Sequence, residues 1–267
     1  MKIPGKVFVV TGGGSGIGRA LVLALLDKGA RVAAVDIHAD SLRETLELAG
    51  GEKAGLSTHV VDVSNRKQVE ALPAQVLAEH QAVDGLINNA GIIQPFIKLN
   101  ELDYDTMERV FNVNLWGQIY MIKSLLPELL KRPESHIVNV SSMGGFFPFP
   151  GQTLYGASKA AVKLPTEGLY AELLETTVGV SVVFPGATAT NIGANSGVEL
   201  GEADAESSPL PMTSPEAAAA EIIAAIEHNK FQAFIGRDSK IMNLLYKLSP
   251  RIATGLIQRQ MKGLLPE

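Results

Sequence analysis

The chain has no cysteine. That excludes disulfides, thiolate metal sites and a cysteine nucleophile, and leaves the compartment undecided. Charged residues make up only 19% of it and the net charge is −5, so there is no bulk electrostatic attraction to nucleic acid. Aromatic residues are also scarce, at 6% with one tryptophan. No apolar run approaches the roughly 18 residues of a membrane span. The start, Met1-Lys2-Ile3-Pro4-Gly5-Lys6, enters a short apolar segment and a glycine loop at once, without the pattern of a secretory leader. A soluble cytoplasmic protein is the expectation. Of the five histidines, His59, His80, His136 and His228 show no metal-ligand spacing, and His38 is expected at the surface.

What is present suits one α/β domain. The 267 residues are 46% hydrophobic, enough for a buried core. Lys6 to Val10 reads as a buried strand. Thr11-Gly12-Gly13-Gly14-Ser15-Gly16-Ile17-Gly18 follows, then a helix through Leu21, Leu25 and Leu26 that Gly29 stops. Strand, glycine turn and helix in that order form a backbone site for a pyrophosphate. No register fits G-x-G-x-x-G; the one that fits is Thr11-Gly12-x-x-x-Gly16-x-Gly18. Further strands are predicted at 31–35, 57–61, 85–87, 136–140, 178–184 and 232–235, alternating with helices. The pattern implies a single-domain, doubly wound parallel sheet of about seven strands with helices on both faces. Asp36 ends the second strand, 18 residues after Gly18, where an acid accepts hydrogen bonds from an adenosine ribose. It would repel the 2′-phosphate of NADP, and Ser15 and Ile37 supply no compensating cation. NAD is therefore favoured over NADP.

Tyr155 and Lys159 are four apart, on one face of a predicted helix. An ammonium beside a phenol is expected to lower the phenol's pKa and prepare it for proton transfer. Ser142 follows the fifth strand, with Ser141 expected to face away from it. Gly12 to Gly18, Asp36, Asp62, Asn88, Ser142 and Pro185 all follow predicted strands and so share one rim, where open α/β sheets bind ligands.

These motifs together resemble the short-chain dehydrogenase/reductase family: the glycine loop, Asp62-Val63, Asn88-Asn89-Ala90-Gly91, Asn114, Ser142, Tyr155-x-x-x-Lys159 and Pro185-Gly186-x-x-x-Thr190. The resemblance implies a Rossmann-type fold and an NAD(P)-dependent oxidoreductase acting on an alcohol or ketone. Gly12, Ser15, Gly16, Ile17, Gly18, Asp36, Asp62, Val63, Asn89, Ala90, Gly91, Tyr155, Lys159, Pro185, Gly186, Thr188 and Thr190 would then border the cofactor. Tyr155 would act as acid and base, Lys159 would hold its pKa down, Ser142 would position the substrate oxygen, and Asn114 would support a water linked to Lys159. No metal is required. The resemblance also implies a homodimer or homotetramer built through the long middle helices. Thr188 departs from the family, where a branched apolar residue is common. Pro165 is expected to kink or repack the helix after Lys159.

The segment Met143 to Pro150 is apolar and aromatic. Gly144, Phe146, Phe149 and Ile93 are the expected pocket residues, with core or subunit packing as the other reading of the segment; if they line the pocket, the substrate is a hydrophobic alcohol or ketone. Residues 191–213 read as a mobile substrate lid. Residues 237–265 read as a basic amphipathic helical tail; Gly236 to Glu267 carries +4 and the rest of the chain −9. Packing on the body or another subunit, covering the substrate, and contact with a membrane surface are its three readings, the last opposed by the acidic body.

Overall fold

The computed structural model describes residues 1–51, 55–198 and 212–261. The elements run β1 (Val7–Thr11), α1 (Gly16–Asp27), β2 (Arg31–Asp36), α2 (Ala39–Leu48), β3 (Leu56–Val60), α3 (Arg66–His80) and β4 (Gly85–Asn88). Then come α4 (Tyr104–Phe111), a π-helical stretch (Asn112–Gly117), α5 (Gln118–Leu129), β5 (Ser135–Val140), α6 (Thr153–Glu172) and β6 (Val178–Pro185). The chain closes with α7 (Ile192–Ser196), α8 (Pro215–Glu227), β7 (Gln232–Ile235), α9 (Arg237–Leu248) and α10 (Pro250–Gln260). The strands form one parallel seven-stranded sheet in the order β3-β2-β1-β4-β5-β6-β7. The order in which strands are added reverses between β1 and β4, so a crevice opens there at the carboxyl ends of the strands.

Strand alternation divides the core between two faces. Phe8, Val10, Val32 and Ala34 pack with Leu21 and Leu25 of α1 and Ile222, Ile223 and Ile226 of α8. Val9, Ala33 and Val35 face the other way, onto Val69, Leu72 and Val76 of α3 and Met121 and Leu125 of α5. Because both faces are covered, β1 is buried at all five positions, which explains its unbroken apolar run. Each such buried aliphatic side chain contributes roughly 1.5–3 kcal/mol.

Three features add detail to the sequence expectation. The middle of the chain, read as one long helix or a bent pair, is continuously helical from Tyr104 to Leu129, with a π-helical stretch between α4 and α5 that holds Asn114. Helices α3 and α6 run through Pro73 and Pro165 without ending, each losing one backbone donor. Pro165 is exposed, so the carbonyl it leaves unpaired can meet water. Finally, two histidines with no pattern in sequence converge: the Ser57 hydroxyl lies 2.8 Å from His59 Nε2 and 2.7 Å from His80 Nε2. Burial lowers both imidazole pKa values. Among the described residues no group of three or more metal-ligating side chains forms.

Candidate active site

A cavity of about 780 Å³ lies along the carboxyl rim. At one end are Gly12, Ser15, Gly16, Ile17, Asp36, Asp62 and Val63; Asn89, Ala90, Gly91, Ser142, Tyr155, Lys159, Pro185, Gly186, Thr188 and Thr190 continue the wall. The structure thus brings these sequence-predicted residues to one place. Helix α1 opens on this cavity with no side-chain cap at Ser15 and no acid in its first turn. Its backbone donors and dipole suit an anion such as a pyrophosphate. Gly16 turns with φ +51°, where a Cβ would come within 3.2 Å of Thr190. Gly18 stands apart from the wall: a Cβ there would collide with the Gly12 carbonyl, so its absence lets α1 pack against the loop.

The loop is held by its neighbours. Thr11 Oγ1 accepts from the backbone N–H of Asn89 and of Ala90, each at 3.0 Å, and Asn89 Nδ2 donates to the Thr11 carbonyl at 3.0 Å. Asp36 accepts from the N–H of Gly14 at 3.0 Å and of His38 at 3.1 Å. Arg19 donates to the Gly14 carbonyl and pairs with Glu44 at 2.6 Å. The residues present therefore fit a dinucleotide: a glycine cradle, a helix start and a carboxylate at the far end.

At the other end of the site, Lys159 is buried and donates from Nζ to the Val140 carbonyl at 3.0 Å. Burial lowers its pKa to about 8. Asn114 sits at the turn that the π-helical stretch widens. Its Oδ1 accepts from Ile92 N at 2.8 Å, and its Nδ2 donates to the Ile92 carbonyl at 3.0 Å and to Ser158 Oγ at 2.9 Å. It ties the strand-end segment to the helix of Tyr155, and is itself off the cavity wall. Ser141 also borders the cavity, and its hydroxyl is tied up donating to the Lys159 carbonyl at 2.7 Å. Ser142 Oγ accepts from Gly144 N at 3.1 Å.

Two expectations are corrected. Burial raises the Tyr155 pKa; the opposing influence is a hydrogen bond with Ser142, not the charge of Lys159, whose ammonium is drawn to the Val140 carbonyl. The second concerns the pocket. Ile93 and Phe149 line the cavity, but Phe146 turns away to stack edge-on against Phe184 and Phe234, both at 5.5 Å between ring centres. Gly144 is buried behind the Tyr155 ring. Residues 143–145 form a 3₁₀ turn, so strand alternation does not carry through the segment, and Phe147 takes the wall position. Phe96, Met143, Met242, Ile257 and Met261 complete this apolar end.

Sequence reasoning missed Gln94, which is fully buried. Its Oε1 accepts from the N–H groups of Leu154, at 2.8 Å, and Tyr155, at 3.0 Å, and its Nε2 donates to the Gly151 carbonyl at 3.0 Å. It caps α6 at the turn carrying Tyr155. A lone glutamine after Ile92-Ile93 carries no periodic signal, and its partners lie about sixty residues away.

A family model described as short chain dehydrogenase matches residues 6–200. The chain belongs to the short-chain dehydrogenase family. It is 35% identical to the Mycobacterium tuberculosis protein SadH over 251 residues, 91% of each chain. To the 3-oxoacyl-[acyl-carrier-protein] reductase FabG of Thermotoga maritima it is 36% identical over 188 residues, 70% of this chain and 75% of that one. The crystal structure of a Burkholderia phymatum short-chain dehydrogenase/reductase in complex with NAD superposes with a TM-score of 0.79 at 29% identity, covering 88% of this chain and 90% of the other. The protein is thus an oxidoreductase of this family with a nicotinamide-cofactor fold.

Proposed function

We propose that the protein interconverts a hydrophobic secondary alcohol and its ketone, using NAD(H). The observation that carries this is the junction of two unlike walls at Tyr155: a glycine-and-carboxylate cradle on one side and an apolar wall from Phe96, Phe147, Phe149 and Ile257 on the other. Bound NAD(H) supplies the hydride acceptor or donor. The chain's own residues handle the proton. Tyr155 gives a proton to the substrate oxygen in reduction and takes it in oxidation. The Ser142 hydroxyl shares that oxygen, orients it and stabilises its developing charge. Lys159, whose pKa burial lowers to about 8, is cationic at neutral pH and is held on the Val140 carbonyl beside the phenol. Asn114 and Gln94 fix the elements that carry these groups.

The choice of NAD rests on Asp36. Its carboxylate lies on the wall beside Ile37 and His38, and Arg19 is already paired with Glu44. A 2′-phosphate there would meet a negative charge without a paired cation. We further propose that 191–213 is a substrate lid. Within it, α7 bridges the two halves of the site: Asn195 Nδ2 donates to Ser15 Oγ at 2.8 Å, and Ser196 Oγ accepts from Ile93 N at 3.0 Å. Residues 199–211 lie outside the described residues, as do 262–265 of the tail. A cytoplasmic homodimer or homotetramer through the middle helices is the assembly we propose, supported by exposed Tyr104, Trp116 and Leu164.

Purified protein should enhance NADH fluorescence on binding, and a panel of aliphatic, aromatic, terpenoid and steroid alcohols with NAD⁺ should show turnover by absorbance. Tyr155→Phe should abolish turnover and leave NADH binding nearly intact. Turnover retained in that variant would remove Tyr155 from the mechanism; absence of NADH binding in the wild type would overturn the whole reading.

A further inference from the structure

Helices α9 and α10 have two unlike faces. Inward, Met242, Ile257 and Met261 line the cavity, and Tyr246 packs edge-on against Phe147. Outward, Ile241, Leu244, Leu248, Ile252 and Leu256 are between 41% and 76% exposed. Their spacing makes one stripe on each helix, with Leu248 and Ile252 on either side of the Ser249–Pro250 junction in the chain. Exposed apolar residues usually occur singly; five large aliphatics within sixteen residues make a patch that calls for a partner.

Charge narrows the choice of partner. Arg237, Lys240, Lys247, Arg251 and Arg259 are all exposed on these two helices. The one acid between Arg237 and Gln260 is Asp238, which is buried and accepts from Ala187 N at 2.6 Å. Lys240 is paired with Glu221 at 2.7 Å, and among the described residues that leaves Arg237, Lys247, Arg251 and Arg259 without an acidic partner, Lys247 Nζ lying 5.9 Å from the centre of the Phe234 ring. We propose that this helix pair docks on the surface of an anionic phospholipid bilayer, with the aliphatic stripes at the acyl boundary and the cations among the headgroups. Neither helix is long and apolar enough to cross. A second copy seated face to face would set these cations against their own counterparts, so the charge pattern favours lipid over self-association. The surface backs directly onto the apolar end of the cavity, one helix layer away. Docking would thus hold the substrate end of the site beside the phase in which apolar molecules accumulate. The proposal concerns binding alone and is independent of which reaction the site performs.

The test is co-sedimentation of the full chain with vesicles of phosphatidylcholine, and of phosphatidylcholine with an equal share of phosphatidylglycerol. Wild-type protein should bind the anionic vesicles and bind more weakly as salt is raised. Leu248→Ser/Ile252→Ser should weaken that binding about tenfold or more. Lys247→Ser/Arg251→Ser should weaken it by at least about fivefold, an effect confined to the anionic vesicles. Circular dichroism melts would confirm that these surface variants fold. Wild-type protein that stays in the supernatant with anionic vesicles, or folded variants that bind like wild type, would overturn the proposal. So would light scattering in which Leu248→Ser/Ile252→Ser halves the mass of the vesicle-free protein, because the face would then belong to a second copy.

Discussion

His136 should make the protein lose stability in mild acid, and by a calculable amount. It lies in β5, 2% exposed. Ser181 Oγ donates its one proton to the Lys230 carbonyl, so its lone pair accepts from His136 Nε2, 2.8 Å away. The neutral ring therefore carries its proton on Nε2, and a second would have to go to Nδ1 of this buried ring. Burial, aided by the N-terminal ammonium, lowers the pKa from 6.5 to about 3. The native form is neutral, so its contribution is fully present above the unfolded value of 6.5 and is lost as pH falls toward 3. Between pH 7 and pH 5 the unfolded chain takes up most of a proton here and the native chain almost none. Linkage then removes about 2 kcal/mol of stability at this residue. The perturbation is His136→Gln, which can keep a donor toward Ser181 and cannot titrate. Urea unfolding followed by circular dichroism at pH 7 and pH 5, at one protein concentration, gives both stabilities. The variant will start less stable, since it replaces a packed ring. What matters is the difference: its loss between the two pH values should be smaller than wild type's by about 2 kcal/mol. His59 and His80 act in the same direction but are present in both proteins and cancel. Equal losses in variant and wild type would refute the assignment of a depressed His136.

Further outcomes follow from the site. Gln94→Ala leaves the amides of Leu154 and Tyr155 without their acceptor and should cost about 1–3 kcal/mol in unfolding free energy, with kcat falling more than NADH affinity. Asp36→Ala should raise kcat/KM for NADP relative to NAD, measured side by side; an unchanged ratio would remove Asp36 as the selector. Phe147→Ala should raise KM for the best alcohol of the panel several-fold through lost apolar contact, whereas Phe146→Ala should act on the melting temperature, because its ring packs on Phe184 and Phe234 rather than on the cavity.

Much of the site was legible because its signals are local. The glycine loop, Asp36, Asn89 to Gly91, Ser142 and Pro185 each adjoin a strand end. In a parallel sheet every carboxyl end falls on the same rim, so strand prediction alone brought them together. The two-faced sheet was legible for a like reason: the strands read as unbroken apolar runs between helical patterns.

Other features depended on contacts between distant parts of the chain. Gln94 caps a helix that begins some sixty residues later, and no spacing announces that. Phe147 lines the wall while Phe146 packs inward after the 3₁₀ turn, and the apolar character of the segment alone does not tell the two rings apart. Ser57, His59 and His80 meet only because α3 returns onto the edge strand. The direction of the Tyr155 pKa is the sharpest case. Four-residue spacing puts Lys159 on the same face as the phenol, and sequence can say no more than that. Whether charge or burial prevails depends on how much water the surrounding fold excludes and on which acceptor takes the ammonium, and the tertiary structure gave both answers: burial, and the carbonyl of Val140.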